Sequence, residues 1–363
     1  MDAPGSGQRA VILPLKINPE IRCQRPRRSI CGLVAQVKIH IDKIDAYAHI
    51  DKTLILKMSD YEPNPDGGDV MKRTILVTGA AGKTASGVAE LCMERGAQVR
   101  ALVRKPDDRS ARLAQLGAEV VIGDMMKYHD MKSALAGIDS VYFCYPTSDK
   151  VLEATATFVA AAAEQDVRFV VNMSQIIARP DAPSPTSRSH WLGERVIDNA
   201  RLNVAHLRPT FFADQFVLNV KHTIINESEI IRPYGRAFHA PIATSDIARV
   251  AAHILFDPIP HIGKSYVLTG VDRLSFPEIA EMFSDLLGRR IEYVDVPADK
   301  FREDMTKRNF AASLIEHHIE ASRDYQGGHF DATNNLVEEI TGRPAVRFRD
   351  YINSNIEKFR TAA

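Results

Sequence analysis

The stretch that decides the fold is residues 71–104, which read MKRTILVTGAAGKTASGVAELCMERGAQVRALVR. An apolar run over residues 75–77 ends in the turn TGAAGKTA, residues 78–85, and a helical pattern follows that closes at Gly96. A second apolar run covers residues 99–103. Strand, glycine turn, helix and strand within about 30 residues are typical of the first crossover of a dinucleotide-binding fold. The sequence therefore predicts a nucleotide site at this turn.

Each small residue of the turn has its own predicted role. Gly79 allows the chain to turn sharply off the strand, where a Cβ would clash. Gly82 lets backbone N–H groups approach a pyrophosphate at the helix N-terminus, where free donors and the helix dipole favour negative charge. Ala85 leaves room for the helix to pack closely on the strand. The residues expected to contact the cofactor here are Gly79, Ala81, Gly82, Lys83, Thr84 and Ala85.

Two alternatives compete with this interpretation of the turn. One is an ordinary glycine loop in a parallel α/β protein, which the strand before the turn and the helix after it disfavour. The other is a phosphate-binding P-loop, because Gly82-Lys83-Thr84 is similar to the end of that motif. The P-loop motif requires a glycine five residues before Gly82, and this chain has Val77 there. The P-loop is therefore excluded.

Apolar segments alternate with helical patterns along the middle of the chain. The predicted strands are residues 74–78, 98–103, 119–122, 140–144, 168–173 and 204–207, and the predicted helices between them are 109–116, 130–137, 151–165 and 187–199. This alternation predicts an α/β fold, a Rossmann-type doubly wound parallel sheet. We expect the nucleotide-binding domain at residues 71–211. A smaller, mostly helical substrate lobe is expected at 212–363, with some of its segments returning to the main sheet.

In such sheets the ligand lies beyond the carboxyl ends of the strands. We therefore expect the cofactor to extend from the glycine turn across the residues that follow the other strands. Those residues are Arg104, Asp124, Met125, Tyr145, Pro146, Ser174 and Pro209.

Arg104 closes the second strand, about where NAD enzymes place an acid against the ribose 2′-hydroxyl. An arginine there pairs with a 2′-phosphate through its planar guanidinium, and Lys105 and Lys83 add positive charge. The sequence therefore favours NADP(H), with NAD(H) as the alternative; a solvated basic strand end is the competing interpretation. Asp124 is expected either to accept a hydrogen bond from the adenine amino group or to cap the next helix.

Two residues are candidates for catalysis, His190 and Ser174. His190 and Glu194 lie four residues apart on one predicted helix face, so they could present a proton donor to the nicotinamide end, although a surface His–Glu pair is the alternative. Ser174, at the tip of the fifth strand, could hydrogen-bond a substrate oxygen. Phe211 and Phe212 either wall the nicotinamide pocket or belong to the core.

Composition excludes several classes of protein. The 363 residues include 46 basic and 46 acidic side chains, so charge gives no indication of nucleic acid or an anionic membrane as a partner. No apolar run approaches the roughly 18 residues needed to span a bilayer. The four cysteines show neither CxxC nor metal-ligand spacing. We expect a reduced cytoplasmic protein without a metal site, a monomer or homodimer that acts on a small molecule.

Residues 1–70 differ from the rest of the chain. Gly, Pro and Arg dominate the opening, residues 37–41 alternate as in a strand, and residues 61–68 have the composition of a linker. Because Met71 stands immediately before the first strand, we expect a poorly structured extension, with an upstream start codon as one origin. A small strand pair and an organelle-targeting signal are the alternatives.

Several motifs together resemble the NmrA-like atypical short-chain dehydrogenase/reductases. They are TGAAGKTA (78–85), ALVR (101–104), Gly123-Asp124, HxxxE (190–194), LRPTFF (207–212), Asp246-Ile247-Ala248, LTG (268–270) and GRRIEYVDVP (288–297). The GKTA segment is also similar to the ergot-alkaloid-type imine reductases of that family. The resemblance extends from about Met71 to the C-terminus, leaves residues 1–70 unaccounted for, and implies an NAD(P)-binding fold.

The resemblance also implies a choice of function. The family includes quinone, azo and imine reductases as well as cofactor-sensing regulators that perform no turnover. Typical short-chain dehydrogenases carry Tyr-xxx-Lys where this chain has His190 and Glu194, and a glutamate would raise the pKa of the histidine. We expect an NAD(P)H-dependent reductase that delivers hydride to a quinone, imine or azo acceptor, because such acceptors need little acid catalysis. A non-catalytic sensor that acts through a protein partner is the alternative.

Overall fold

The computed structural model describes residues 73–360. The extension predicted at residues 1–70 lies outside the described residues. The strands are β1 Thr74–Thr78, β2 Gln98–Val103, β3 Glu119–Ile122, β4 Ser140–Phe143, β5 Phe169–Met173, β6 Val204–Pro209, β7 Glu229–Arg232, β8 Phe238–His239, β9 Lys264–Leu268, β10 Leu274–Ser275 and β11 Glu292–Asp295. The α-helices are α1 Lys83–Glu94, α2 Asp108–Gln115, α3 Tyr128–Leu135, α4 Val151–Ala162, α5 Pro185–Asn199, α6 Lys221–Asn226, α7 Thr244–Phe256, α8 Phe276–Leu287, α9 Ala298–Lys307, α10 Ala312–Gln326, α11 Leu336–Thr341 and α12 Phe348–Ser354.

Seven strands form the central sheet in the order β3-β2-β1-β4-β5-β6-β9, and every neighbouring pair is parallel. The predicted Rossmann-type sheet is therefore confirmed. Its interior strands are almost wholly apolar and buried, as expected when helices cover both faces. The strand order reverses between β1 and β4, where ligands bind in doubly wound sheets.

The helix after the glycine turn packs against a helix from much later in the chain. A Cβ added to Gly87 of α1 would lie 3.0 Å from Cβ of Ala248 in α7, so the two helices meet closely at this glycine. Strand β9 then extends the main sheet beside β6. The segment 244–268, which begins beyond residue 212, thus belongs to the layers of the main sheet.

The remaining C-terminal segments form a lobe with its own core. Two small sheets, β8 with β10 and β7 with β11, support helices α8 to α10. An aromatic cluster fills the space between them, and Phe276 lies at its centre beside Phe216, Tyr234 and Tyr325. A π-helix, Phe216–Val220, leads from β6 into this lobe.

Asp246 lies inside its helix and is not the residue that caps it. Helix α7 begins at Thr244, with Ala243 as N-cap residue, and Asp246 lies within the first turn. Its carboxylate accepts a hydrogen bond from the Val346 amide at 2.8 Å and pairs with Arg249 at 2.6 Å. Asp246 therefore ties α7 to the segment before α12, a long-range contact that local sequence does not indicate.

His239 is a fully buried histidine of the lobe core, stacked on Phe276 at 4.7 Å. Burial lowers the pKa of His239 to about 3. Because the unfolded chain protonates this ring near pH 6.5, the unfolded state binds more protons between these values, so stability falls as pH decreases. We expect His239 alone to cost about 2 kcal/mol of stability between pH 7 and pH 5.

Replacing His239 with Phe is expected to remove that part of the pH dependence. Denaturant unfolding at pH 7 and pH 5 measures it, and the variant should lose less stability on acidification than the wild type. His222, which is exposed, provides the control, and His222→Phe should retain the wild-type pH dependence. An equal loss of stability in His239→Phe and wild type would contradict the assignment.

Candidate functional site

The glycine turn lies at the carboxyl end of β1, as predicted. Gly79 has a φ of +59°, and a Cβ there would lie 3.1 Å from the carbonyl oxygen of Cys144, which follows β4. A Cβ on Gly82 would lie 3.1 Å from the carbonyl oxygen of Gly79, to which the Gly82 amide donates at 2.8 Å. Side chains at either position would crowd a tight backbone loop.

The N-terminus of α1 is open to a ligand. Gly82 is the N-cap residue and no described side chain caps the helix. The amide of Ser86 donates to the carbonyl of Gly82 at 2.8 Å, so the preceding amides of Lys83, Thr84 and Ala85 have no acceptor within the helix. Three free donors at a positive helix end fit the pyrophosphate of a dinucleotide.

Thr84 contributes its amide rather than its hydroxyl to this surface. Its side chain is buried beneath the loop. Burial, opposed by the Thr84 and Tyr142 hydroxyls, raises the pKa of the Cys144 thiol to about 11, and burial raises that of Cys92 to about 12. Both cysteines are free thiols and stay protonated at neutral pH.

Lys83 binds a carboxylate that sequence reasoning missed. Its ammonium lies 2.9 Å from Asp214, which also accepts hydrogen bonds from the amide and the hydroxyl of Thr244 at 3.1 and 2.9 Å. Burial opposes ionisation of Asp214, but the bonds from Lys83 and Thr244 outweigh it and lower the pKa of the carboxyl. Asp214 thus joins the glycine turn to the start of α7.

Arg104, Asp124 and Tyr145 follow β2, β3 and β4 at the carboxyl edge of the sheet. Burial and the Asp124 carboxylate raise the pKa of Tyr145, whereas Arg104 lowers it, so both charged groups are within electrostatic reach of the Tyr145 hydroxyl. Arg104 and Lys105 are exposed, and neither forms an ion pair within residues 73–360. The Arg104 guanidinium is therefore free to bind a ligand at this edge.

The Asp124 carboxylate is already engaged on one oxygen. Its Oδ1 accepts a hydrogen bond from the Met126 amide at 3.0 Å, and the Asp124 amide donates to Asp130 at 2.9 Å. Asp124 therefore shapes the turn before α3, which begins two residues before the predicted start at Asp130. The side chain of Met125 packs against the core beneath the sheet, and Pro146 is exposed at the rim.

The ends of β5 and β6 carry hydroxyls without partners. The Ser174 amide donates to Leu207 at 2.8 Å, but its Oγ is buried and has no hydrogen-bond partner among the described residues. The same is true of Oγ1 of Thr210, directly after Pro209. Sequence reasoning named Ser174 and Pro209 and missed Thr210. Buried unpaired hydroxyls at the same carboxyl edge of the sheet as the glycine turn are the second feature that fits a bound cofactor or substrate.

His190 and Glu194 do not act as a pair. Glu194 is fully buried and bidentate with Arg208 of β6, with Nε 2.9 Å from Oε1. Burial, and then the neighbouring His317, lower the pKa of His190 to about 3. The expectation that Glu194 raises the pKa of His190 is therefore wrong. His190 is a neutral imidazole at pH 7, and its Nε2 has no described hydrogen-bond partner.

Phe211 and Phe212 divide between two cores. Phe211 contacts His239 and Phe276 in the lobe cluster, with ring centroids at 5.5 and 6.2 Å, whereas Phe212 packs against the core of the main sheet. Of the two roles predicted for these side chains, both therefore have the second, which is packing in a hydrophobic core.

No group of three or more His, Cys, Asp or Glu side chains able to hold a metal ion occurs within residues 73–360. In that range no helix is both long and apolar enough to span a bilayer.

The NmrA-like family matches residues 71–343. The chain belongs to this family. An NAD(P)H azoreductase of Xenophilus azovorans is 30% identical to this NmrA-like protein over 295 residues, which cover 79% of the chain and all of the relative. The predicted family is thereby confirmed.

Solved structures share the fold of this NmrA-like protein. An NADPH-dependent quinone oxidoreductase from Escherichia coli, complexed with NADPH, aligns with a TM-score of 0.70 at 19% identity, covering 78% of this chain and 99% of that one. NmrA, a negative transcriptional regulator in complex with NADP, aligns with a TM-score of 0.64 at 15% identity, covering 79% and 97%. Both a reductase and a regulator therefore share this architecture.

Proposed function

We propose that the protein is an NAD(P)H-dependent reductase that prefers NADPH and delivers hydride to a small electrophilic acceptor of the quinone, imine or azo type. The observation that carries the proposal is the uncapped α1 N-terminus behind Gly79 and Gly82, with the unpaired Arg104 at the next strand end. Membership of the NmrA-like family and similarity to a protein named as an NAD(P)H azoreductase support it.

The cofactor would be held mainly by the backbone. Amides of Lys83, Thr84 and Ala85 would bind the pyrophosphate, and Arg104 would pair with the 2′-phosphate that distinguishes NADPH from NADH. Because Lys83 is held by Asp214, its charge is largely neutralised, so Arg104 carries the phosphate preference. When bound, NADPH supplies the hydride from its nicotinamide ring.

The residues near the reacting end offer hydrogen bonds rather than a strong acid. Ser174 has an unpaired hydroxyl that can donate to an oxygen or nitrogen of the acceptor. The neutral His190 can donate through a ring N–H but holds no excess proton at pH 7. Such a site suits an acceptor that is already electrophilic, since its reduction depends chiefly on orientation next to the cofactor. The acceptor would lie between the main sheet and the lobe that the C-terminal segments outside residues 244–268 form.

A second candidate function is cofactor sensing without turnover. The burial of Glu194 against Arg208 favours it, because that pair occupies the position where a typical dehydrogenase has a catalytic lysine. In this case the same turn and the same Arg104 would bind the dinucleotide, and the occupied protein would contact a partner protein.

NADPH consumption with a panel of quinones, imines and azo dyes separates the two functions. We expect turnover with at least one class, and Ser174→Ala should lower kcat about 10-fold, the scale of one lost hydrogen bond in the transition state. Tight NADPH binding without turnover of any acceptor would favour the sensor.

Two further parts of the proposal concern the cellular location and the oligomeric state of the protein. The protonated, unpaired thiols of Cys92 and Cys144 suit a reducing cytoplasm, which fractionation of cells would check. A monomer or homodimer is expected, and light scattering on the purified chain would measure it.

A further inference from the structure

Asp214 is a buried carboxylate that holds the lysine of the glycine turn. The residue is only 6% exposed, and its Oδ1 lies 2.9 Å from Nζ of Lys83. Its Oδ2 accepts hydrogen bonds from the amide and the hydroxyl of Thr244 at 3.1 and 2.9 Å. Neither Lys83 nor Asp214 forms another ion pair within residues 73–360. The carboxylate is therefore fixed on one side by α7 and bound to a single cation on the other.

Helices α1 and α7 begin beside each other at this carboxylate. Lys83 and Thr244 are their first residues, and both bind Asp214. Four residues further along each helix, a Cβ on Gly87 would lie 3.0 Å from Cβ of Ala248. The equal spacing shows that the two helices run side by side in the same direction. Their N-termini, which are the positive ends of the helix dipoles, therefore lie next to each other.

The two N-termini differ in the group that satisfies them. The N-cap residue of α7 is Ala243, whose side chain cannot cap the helix, and Asp214 supplies an acceptor from 30 residues before Thr244. The first amides of α1 have no such acceptor among the described residues and are the donors assigned to the pyrophosphate. The fold thus fills one helix end with its own carboxylate and leaves the other to a ligand.

Lys83 carries its charge close to that ligand. Its own amide is one of the free donors, and the stem of a lysine reaches about 6 Å from Cα. A phosphate bound at this amide therefore lies within about 10 Å of the ammonium, where charges near a protein surface still interact. The Lys83 side chain is 44% exposed, and its ammonium donates to Asp214. Asp214 therefore controls whether this positive charge is available to the dinucleotide.

The pair of Lys83 and Asp214 is net neutral at pH 7. Burial opposes ionisation of Asp214, but its bonds from Lys83 and Thr244 prevail and lower its pKa, so it is a carboxylate. Tyr351 of α12 is a further titratable group that interacts with Asp214. Burial, and then the Asp214 carboxylate, raise the pKa of Tyr351, so this phenol is uncharged and leaves the balance of the pair unchanged.

We propose, on the basis of the proposed function, that Asp214 withdraws Lys83 from the phosphate site and thereby limits the affinity for the whole dinucleotide. Asp214 is a positioning residue, because it acts through Lys83 and does not touch the cofactor. NADPH and NADH share the pyrophosphate, so the pair affects both equally, whereas Arg104 sets the ratio between them. A limited affinity lets the oxidised cofactor leave after hydride transfer, a step that limits the turnover of many enzymes.

The variant Asp214→Asn tests this role in the full chain. Asparagine keeps an oxygen for the Thr244 amide and hydroxyl but loses the charge that holds Lys83. Calorimetric titration at about 0.01 M ionic strength, where the Debye length is about 30 Å, measures Kd for NADPH and for NADH. We expect both cofactors to bind the variant about 10-fold more tightly than the wild type, in an unchanged ratio. Unchanged or weaker binding, or a gain for one cofactor alone, would overturn the proposal.

A lysine that moves onto the cofactor is the competing explanation, and Lys83→Met with and without Asp214→Asn distinguishes it. Lys83→Met alone leaves the Asp214 charge uncompensated and should weaken binding of both cofactors about 10-fold. Adding Asp214→Asn makes the site neutral again without changing the main-chain amides, so the affinity should return to within about 3-fold of the wild type. A double variant that stays as weak as Lys83→Met would show that Lys83 binds the cofactor directly, contrary to the proposal.

Glu90→Gln is the matched control for Asp214→Asn. Glu90 is also an acid paired with a base, Arg112 at 3.0 Å, but it lies two turns beyond Lys83 on α1, about 10 Å along the helix axis. Both cofactors should bind Glu90→Gln within about 3-fold of the wild type. An equal gain in Glu90→Gln and Asp214→Asn would reveal a general effect of net charge and refute the role of Asp214.

The same titrations separate the two levels of the proposal. A wild type that binds neither cofactor would refute the proposed cofactor site together with the role of Asp214. NADPH binding to the wild type that Asp214→Asn does not tighten would refute the role of Asp214 alone.

Discussion

Replacing Arg104 with glutamate is expected to reverse the cofactor preference, weakening NADPH binding about 100- to 1000-fold. The variant loses a guanidinium–phosphate pair and places a carboxylate near the same phosphate, so attraction becomes repulsion. A glutamate at this position can also accept a hydrogen bond from the 2′-hydroxyl of NADH, so NADH should bind as well as before or more tightly. Calorimetric titration of each variant with both reduced cofactors measures the change.

Lys105→Glu is the matched control for Arg104→Glu. It makes the same change of charge one residue later, on a side chain that is also exposed. A general loss of positive potential would affect both variants equally, whereas direct recognition by Arg104 predicts an effect below about 10-fold for Lys105→Glu. An unchanged NADPH to NADH ratio in Arg104→Glu would remove Arg104 from the cofactor site.

Replacing Gly79 with valine is expected to abolish measurable dinucleotide binding while the protein still folds. The φ of +59° is unfavourable for a β-branched residue, and the new Cβ would lie 3.1 Å from the carbonyl oxygen of Cys144, a backbone atom directly after β4. The turn must therefore shift, and the amides that follow it shift as well. Loss of two amide–phosphate bonds would weaken binding roughly 100-fold or more.

Gly137→Val controls for the backbone strain. Gly137 also has a positive φ, +73°, but it precedes β4 at the opposite end of the sheet, and no atom lies within 4 Å of its added Cβ. Both variants should lose stability, by about 1–3 kcal/mol from strain alone, and only Gly79→Val should lose the cofactor. Comparable NADPH affinities for the two variants would show that the turn does not grip the dinucleotide.

The parts of the fold that the sequence predicted correctly are those set by local patterns. Each strand from β1 to β6 is a short apolar run bounded by turn residues, and each intervening helix follows from the spacing of its own apolar residues. The glycine turn combines a strand end, a positive φ and a helix start within eight residues. The local backbone preference of these residues agrees with their tertiary packing. The sequence pattern alone was therefore sufficient to predict the turn and the strand and helix that flank it.

The parts that the sequence did not predict depend on contacts between distant segments. Asp214 becomes important only because α7 brings Thr244 beside the glycine turn. His190 looked like an exposed acid on a helix face, but α10 covers it with His317, and β6 supplies Arg208 to Glu194. A helical pattern shows which residues share a face and does not show what that face packs against.

The most direct test of the account is a calorimetric titration of the full chain with NADPH. We predict that NADPH binds saturably to one site per chain and that NADH binds more weakly. The Gly79→Val variant should give no binding heat with either cofactor. Absence of heat with NADPH, NADH and their oxidised forms would contradict the claim that the main-chain amides after Gly79 bind a pyridine dinucleotide.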